Sequence, residues 1–180
     1  MTKILATERL HLRPFEMADL PYLVPIYGDE AVMAIRKIGV RTPDQTETEL
    51  AGIIEHWRDR GFGLWAVIDK TDRSLLGECG LRYSGYGQEV EISYGLSKQA
   101  WGKGLATEAA FAILDYGFGA AGLEEIVAIA RASNQASHRV MKKLGMHLNK
   151  TWESDGVGLV RYSVTREDYI RHQTARTTPT

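Results

Sequence analysis

The run from Glu91 to Phe118, EISYGLSKQAWGKGLATEAAFAILDYGF, constrains the fold more than any other part of the chain. Ile92, Tyr94 and Leu96 fall on one face of its first segment and Glu91, Ser93 and Gly95 on the other, the period of two that marks a strand. Ser97 to Gln99 breaks that period. Gly102, Lys103 and Gly104 follow, and then Leu105, Ala109, Ala112, Ile113 and Tyr116 recur at helical spacing in an alanine-rich run. A helix that starts behind glycines turns several main-chain N–H groups outward and carries the positive end of its dipole there, about half a unit charge. Such a start is a seat for a phosphate or diphosphate.

The spacing decides which phosphate ligand to expect. A P-loop needs Gly-Lys-Ser/Thr, and Gly104 is followed by Leu105 and Ala106. A dinucleotide fingerprint needs a third small residue where Thr107 stands, and an acid after the next strand, whereas Glu124 and Glu125 precede it. Gln-x-x-Gly-x-Gly fits, with Gln99, Gly102 and Gly104. The plain alternative is that the glycines only close a strand-to-helix turn. A second segment follows the apolar run Glu125–Ala130. In Asn134-Gln-Ala-Ser137-His-Arg-Val140-Met-Lys-Lys-Leu144-Gly145-Met146, Asn134 suits an N-cap, Ala136, Val140 and Leu144 form a stripe, and Gly145 suits the stop. The two segments together resemble the acyl-coenzyme A motifs of the GNAT superfamily of N-acyltransferases. The opening Thr7-Glu-Arg-Leu10-His-Leu-Arg13-Pro14 is similar to the start of its ribosomal-protein alanine N-acetyltransferase (RimJ/RimL-like) branch. The resemblance spans Leu5 to Tyr169.

With 180 residues, the chain is long enough for one domain with a substantial core. A net charge of −1 gives no electrostatic footprint for nucleic acid. The single cysteine, Cys79, excludes an internal disulfide and a cysteine metal cluster and reads as a buried thiol. The five histidines show no metal-ligand spacing, and no run reaches the ~20 apolar residues of a membrane span. The expectations are a reduced, cytoplasmic setting, no metal, no membrane or nucleic-acid partner, and a monomer or homodimer.

Leu5–Phe15 reads as one strand. Asp19 reads as the cap of a helix lasting to about Tyr27, with Pro25 as a possible kink. Asp29–Ile35 reads as a further helical turn, and residues 36–42 as either a connection or, by the resemblance, a wall of the acceptor cleft. Thr42-Pro43-Asp44-Gln45 is a capping box opening a helix with Leu50, Ile53, Ile54 and Trp57 on one face. Leu64–Asp69 and Leu75–Tyr83 form a hairpin, Ser84–Gly87 a turn, and Gln88–Leu96 the next strand. His147–Glu153 and Val157–Thr165 pair around Asp155-Gly156. The fold expected is α/β (α+β): a single domain over residues 1–170, with a mixed, mostly antiparallel sheet of six to seven strands flanked by helices. The resemblance adds a splayed central strand pair. Residues 171–180 read as a frayed tail.

The resemblance also implies roles. Trp101, Gly102, Lys103, Gly104, Leu105 and Ala106 would turn main-chain N–H groups to the diphosphate of acetyl-CoA, with Thr107 as a hydroxyl donor and Gln99 opening the motif. Tyr94 and Leu96 would pair with the pantetheine arm. Arg139, Lys142 and Lys143 are either a route to the 3′-phosphate or a solvated basic face. Glu91 matches the glutamate that removes the amine proton, with Glu89 as runner-up; burial raises a carboxyl pKa and suits it to this task. An α-amine, pKa roughly 8, asks less of that base than lysine at about 10.4. The tyrosine that protonates the leaving thiolate in much of the superfamily is replaced by Met141, which leaves Ser137, beside Asn134, as the candidate acid. The resulting expectation is an N-acetyltransferase moving acetyl from acetyl-CoA to a primary amine by direct attack. The rival, a non-catalytic acyl-CoA sensor on the same scaffold, draws on the missing tyrosine. A nucleotide-binding protein is the third reading.

Overall fold

The computed structural model describes residues 4–34, 36, 39–85 and 88–177. Of the expected segments, Ile35, residues 37–38, Tyr86, Gly87 and residues 178–180 lie outside the described residues. In chain order the elements are β1 (Leu5–Ala6), β2 (Leu10–Pro14), α1 (Leu20–Tyr27), α2 (Glu30–Met33), α3 (Pro43–Arg60), β3 (Leu64–Asp69), β4 (Leu75–Tyr83), β5 (Val90–Leu96), α4 (Leu105–Phe118), β6 (Glu125–Arg131), α5 (Gln135–Lys143), β7 (His147–Ser154), β8 (Val157–Thr165) and α6 (Arg166–Thr177). Short 3-10 turns precede α1 (Met17–Asp19) and follow β5 (Lys98–Ala100).

Among the described residues eight strands run in the order β1-β2-β3-β4-β5-β6-β8-β7. The sheet is mixed and mostly antiparallel: β5 and β6 pair in parallel, and β1–β2, β2–β3, β3–β4, β6–β8 and β7–β8 are antiparallel. β5 and β6 meet at a single register pair, Glu91 opposite Val127, which is the expected splay. The strand beyond the expected seven comes from the opening segment. Thr7 N–H donates to the Leu10 carbonyl at 2.9 Å and Leu10 N–H to the Thr7 hydroxyl at 3.0 Å. This turn folds Leu5–Ala6 back onto His11 and Leu12.

Two compact units divide the chain: Met1–Arg82 with Ser93–Ile113, and Tyr83–Ile92 with Leu114–Thr180. In the first, α1, α2 and α3 bury Leu23, Met33 and Leu50 together with Leu64 and Ala66 of β3. The Thr42 capping box forms as expected, with Gln45 N–H donating to the Thr42 hydroxyl and Thr42 N–H to the Gln45 amide oxygen. Asp19, in contrast, does not cap α1. Its carboxylate is gripped at both oxygens by Arg13, at 2.7 and 2.6 Å, and also accepts from Glu16 N–H. A nearby guanidinium offers two charge-assisted bonds where the helix end offers one neutral donor. α1 continues through Pro25 to Tyr27.

The same unit buries a polar cluster that no local pattern announces. Glu78 on β4, 1% exposed, accepts from the Tyr27 phenol and from the Arg36 guanidinium. Burial, and then the Glu78 charge, push the Tyr27 phenol well above its ordinary value. Desolvation works against the Arg36 charge, and the Glu78 carboxylate outweighs it.

The second unit holds β6, β8 and β7 with α5 and α6. Asp155 and Gly156 take positive φ values of 52° and 73°, the hairpin geometry expected between β7 and β8. Residues 171–177, expected to fray, continue α6. Three contacts hold the helix: the Tyr169 phenol donates to Asp115 at 2.8 Å, Phe118 stacks on Tyr169 at 5.2 Å, and a His172 ring nitrogen lies 2.9 Å from the Lys143 carbonyl at the end of α5. A Cβ at Gly145 would fall 2.7 Å from the His172 ring, so that position must stay glycine for the ring to pack.

Glu78→Ala would leave a buried guanidinium and phenol without their acceptor. The expected cost is about 3–5 kcal/mol, against a smaller loss for Glu78→Gln. Urea unfolding of the two variants measures the difference, and equal midpoints would refute it.

Candidate active site

The diphosphate-type turn is built wholly inside the first unit. Ser97 N–H donates to the Leu76 carbonyl at 2.7 Å, which pins the end of β5 to the start of β4. The Lys98–Ala100 turn then buries Ala100 and returns the chain. Trp101 braces this bend. Its indole N–H donates to the Leu96 carbonyl at 2.7 Å while the ring stays 48% exposed. The Leu96 carbonyl expected for the pantetheine arm therefore already has a donor.

Gly102 and Gly104 take φ values of 73° and 77°, which an L side chain adopts only with strain. A Cβ at Gly102 would meet nothing within 4 Å, and one at Gly104 only Arg9 Nη2 at 3.7 Å. The glycines are thus required by the backbone, and the space above them is open. The first α4 hydrogen bond runs from Glu108 N–H to the Gly104 carbonyl at 3.0 Å. Leu105, Ala106 and Thr107 precede it, and first-turn amides have no carbonyl one turn back to receive them. Leu105 turns its side chain into the core at 4% exposure, while Gln99 and Lys103 are exposed. Trp101 N–H, expected among the diphosphate donors, is instead given to the Lys98 carbonyl at 3.0 Å. The main-chain N–H groups that follow it, with open space above Gly102, fit the diphosphate of an acyl-coenzyme A.

A carboxylate in the first turn of that helix, Glu108, would oppose an anion. The fold neutralises it. Glu108 Oε1 accepts from the Thr7 hydroxyl at 2.5 Å and Arg9 N–H at 2.8 Å, and Oε2 from Arg9 Nε at 2.7 Å. Arg9 Nη1 also donates to the Lys103 carbonyl at 2.9 Å, which fixes the turn between the two glycines. Burial alone would raise the Glu108 carboxyl, but the Thr7 hydroxyl and the Arg9 N–H and guanidinium outweigh it and hold the group below its ordinary value. Thr7, Arg9 and Glu108 were not singled out for a role from the sequence. The available signal was an acid in the first turn of a phosphate-seating helix, which calls for a cation nearby.

The second unit holds the other candidates. Glu91 is 6% exposed. Glu89, the runner-up base, is engaged by Arg161, at 2.5 Å to Oε1 and 3.4 Å to Oε2. Asn134 is the α5 cap, accepting from Ser137 N–H at 3.1 Å, and its amide N–H₂ donates to the Ser137 hydroxyl at 3.2 Å. The expected stripe of Ala136, Val140 and Leu144 is corrected. Ala136 is exposed, and the buried positions are Met141 and Leu144, with Ser137 half-buried one turn before Met141. Arg139, Lys142 and Lys143 are exposed. His138 is half-buried, with Nδ1 3.3 Å from the Tyr162 phenol.

Tyr94, Leu96, Gln99 and residues 101–107 thus lie together in the first unit, and Glu91, Asn134 and Ser137 in the second. Cys79 is fully buried, and burial followed by the Glu78 charge pushes its thiol far up. Among the described residues no His, Cys, Asp and Glu group is placed to hold a metal, and no helix is long and apolar enough to cross a membrane.

Residues 9–147 match the acetyltransferase (GNAT) domain family, and the chain belongs to it. The uncharacterized protein YkkB of Bacillus subtilis is 34% identical over 150 residues, covering 82% of this chain and 87% of its own length. The crystal structure of a GNAT-family acetyltransferase from Bacillus anthracis superposes with a TM-score of 0.81 at 27% identity, over 92% of this chain and 99% of that one. RimL, a ribosomal L7/L12 alpha-N-protein acetyltransferase solved with coenzyme A, gives 0.79 at 17% identity over 91% and 98% of the two chains. That likeness is one of fold alone, and it does not single out the RimJ/RimL-like branch.

Arg9→Met should loosen the turn and shift acid unfolding. A carboxyl held low contributes stability that is present above its unfolded pKa and lost as pH falls through its folded value. Removing the guanidinium should therefore flatten the acid limb of the stability–pH curve. A curve parallel to that of the native chain would refute the Arg9–Glu108 linkage.

Proposed function

We propose that this chain is an acyl-CoA-dependent N-acetyltransferase that moves an acetyl group from acetyl-CoA to a primary amine by direct attack. The observation that carries the reading is the open start of the helix from Gly102 to Thr107, stiffened by the Trp101 indole and by Arg9. Residues 101–107 and Gln99 hold the coenzyme, Tyr94 and Leu96 line its arm, and Asn134 orients Ser137. Glu91, on the central strand, removes the amine proton. The amine nitrogen bonds to the thioester carbon, the carbon–sulfur bond breaks, and the Ser137 hydroxyl donates a hydrogen bond that stabilises the leaving thiolate, which takes its proton from solvent. General acid–base steps of this kind contribute roughly 10²–10⁴-fold each.

The similarity of the opening Thr7–Pro14 segment to the RimJ/RimL-like branch places a protein N-terminal α-amine among the candidate acceptors, with a small-molecule amine as the other class. The buried thiol of Cys79 is consistent with a reduced, cytoplasmic setting. Met141, fully buried where much of the superfamily carries the acid, favours the sensor as a second reading.

Thiol release from acetyl-CoA with a panel of amines and N-terminal peptides tests the proposal. Glu91→Gln should lower kcat by about 10²-fold or more with coenzyme affinity intact. Replacing Gly102 by a bulky residue should abolish coenzyme binding, because the left-handed backbone costs an L residue about 1–2 kcal/mol and the side chain would enter the open space. Tight coenzyme binding without turnover across the panel would favour the sensor. Undiminished affinity after the Gly102 change would remove the loop from the argument.

A further inference from the structure

The buried cluster of Tyr27, Arg36 and Glu78 does more than fill the interior of the first unit, because its guanidinium lies against Gly95 of β5. A Cβ built at Gly95 would fall 2.8, 2.9 and 3.0 Å from Nη2, Cζ and Nε of Arg36. The guanidinium thus occupies the place of the side chain that Gly95 lacks. Glu78, on the neighbouring strand β4, accepts from that guanidinium and from the Tyr27 phenol. The Arg36 Cζ also sits 5.6 Å from the centre of the Tyr27 ring. With its side chain 13% exposed, Arg36 is held between a carboxylate, an aromatic face and a strand.

Gly95 joins Tyr94 to Leu96, the pair assigned to the coenzyme arm. Along a strand the main-chain groups of successive residues point to opposite edges. Gly95 and Ser97 face β4. The Gly95 carbonyl closes on Gly77, where no Cβ would fit, and Ser97 N–H donates to the Leu76 carbonyl at 2.7 Å. Gly77 meets this approach with a φ of 143°, at a bulge where the β3 register shifts between Val67 and Ile68. Tyr94 and Leu96 therefore turn their main-chain groups to the other edge of β5, where the Trp101 indole already takes the Leu96 carbonyl. The segment offered to the arm is backed along one edge by β4 and on one face by Arg36. A lysine would keep a charge opposite Glu78, but a compact ammonium on a flexible stem does not cover a glycine as a planar guanidinium does.

We propose that Arg36 is a positioning residue for acetyl-CoA: its guanidinium, locked by Glu78 and Tyr27, backs β5 at Gly95 and holds Tyr94 and Leu96 in place for the coenzyme arm. It acts through the strand and does not touch the thioester. The inference rests on the acetyltransferase reading and adds a residue to it. An edge that is already ordered loses less entropy when the arm pairs with it. The diphosphate is met elsewhere, at the start of α4, where Arg9 and the Trp101 indole brace the turn. Its affinity is therefore independent of Arg36.

Calorimetry with coenzyme A and with 3′-phosphoadenosine 5′-diphosphate, the same nucleotide without the arm, separates the arm from the diphosphate. In Arg36→Lys, affinity for coenzyme A should fall about tenfold or more while affinity for the nucleotide stays that of the native chain. Gly95→Ala, whose methyl group would displace the guanidinium, should do the same. The KM for acetyl-CoA should rise in step in both variants. Lysine vacates the place beside Gly95, so the double variant should bind coenzyme A about as weakly as either single one, and not roughly a hundredfold worse than the native chain. Native coenzyme A affinity in either single variant, equal losses for the two ligands, or additive losses in the double variant would overturn the inference; equal losses would mark Arg36 as a support of the fold alone. None of these readouts needs turnover. A native chain that binds coenzyme A more tightly than the nucleotide but releases no thiol with any amine would remove the transferase reading and leave the arm assignment. A native chain that binds both ligands equally would overturn the inference while acetyl transfer stood.

Discussion

A seat for a diphosphate must stay positive, and this fold places a carboxylate in the same helical turn. Everything around the coenzyme turn follows from resolving that conflict. Glu108 is held by Thr7 and Arg9 through three hydrogen bonds, so its charge is neutralised within the turn itself. The same guanidinium reaches the Lys103 carbonyl, so the residues that cancel the acid also set the turn. This gives the opening Thr-x-Arg segment a physical task. It is the N-terminal anchor of a loop almost a hundred residues later, and the fold-back that forms β1 is what brings Thr7 and Arg9 to it.

Two kinds of surface divide the molecule. The turn proposed for the coenzyme presents main chain, through positive-φ glycines and the start of a helix. Main-chain recognition depends on conformation, conformation on spacing, and spacing is visible in a bare sequence. A pocket of about 400 Å³ is lined instead by side chains drawn from α3, from the segment before it and from two strand ends. Nothing in the local order of Arg41, Gly52 and Arg82 marks them as neighbours. Gly52 in particular looks like a flaw in a good helix until the space beside it is seen.

The same division explains which parts of the fold were legible. The strand–turn–helix at Glu91–Phe118, the Thr42 capping box, the Asn134 cap and the Asp155-Gly156 hairpin are local devices, and each lies where the sequence placed it. The misreadings share a different cause: a distant partner overrode a local preference. Asp19 had the form of a cap and was taken by Arg13. Residues 171–177 had the composition of a tail and were ordered by Asp115, Phe118 and Gly145. Ala136 and Val140 had the spacing of a buried stripe, but the helix turned Met141 inward, carrying half-buried Ser137 round with it. The buried Tyr27–Arg36–Glu78 cluster joins the end of α1 and the bend after α2 to a strand, and no sequence period joins those three residues.

The enclosure of Met141 limits what could replace it. Its side chain has 0% exposure, so a tyrosine arriving there would have to overpack its surroundings, at about 1–3 kcal/mol, and would sink a hydroxyl where it has no prepared partner. The tight interior thus disfavours a tyrosine at residue 141, and the hydroxyl that α5 does carry one turn earlier, on half-buried Ser137, is already held by the Asn134 amide.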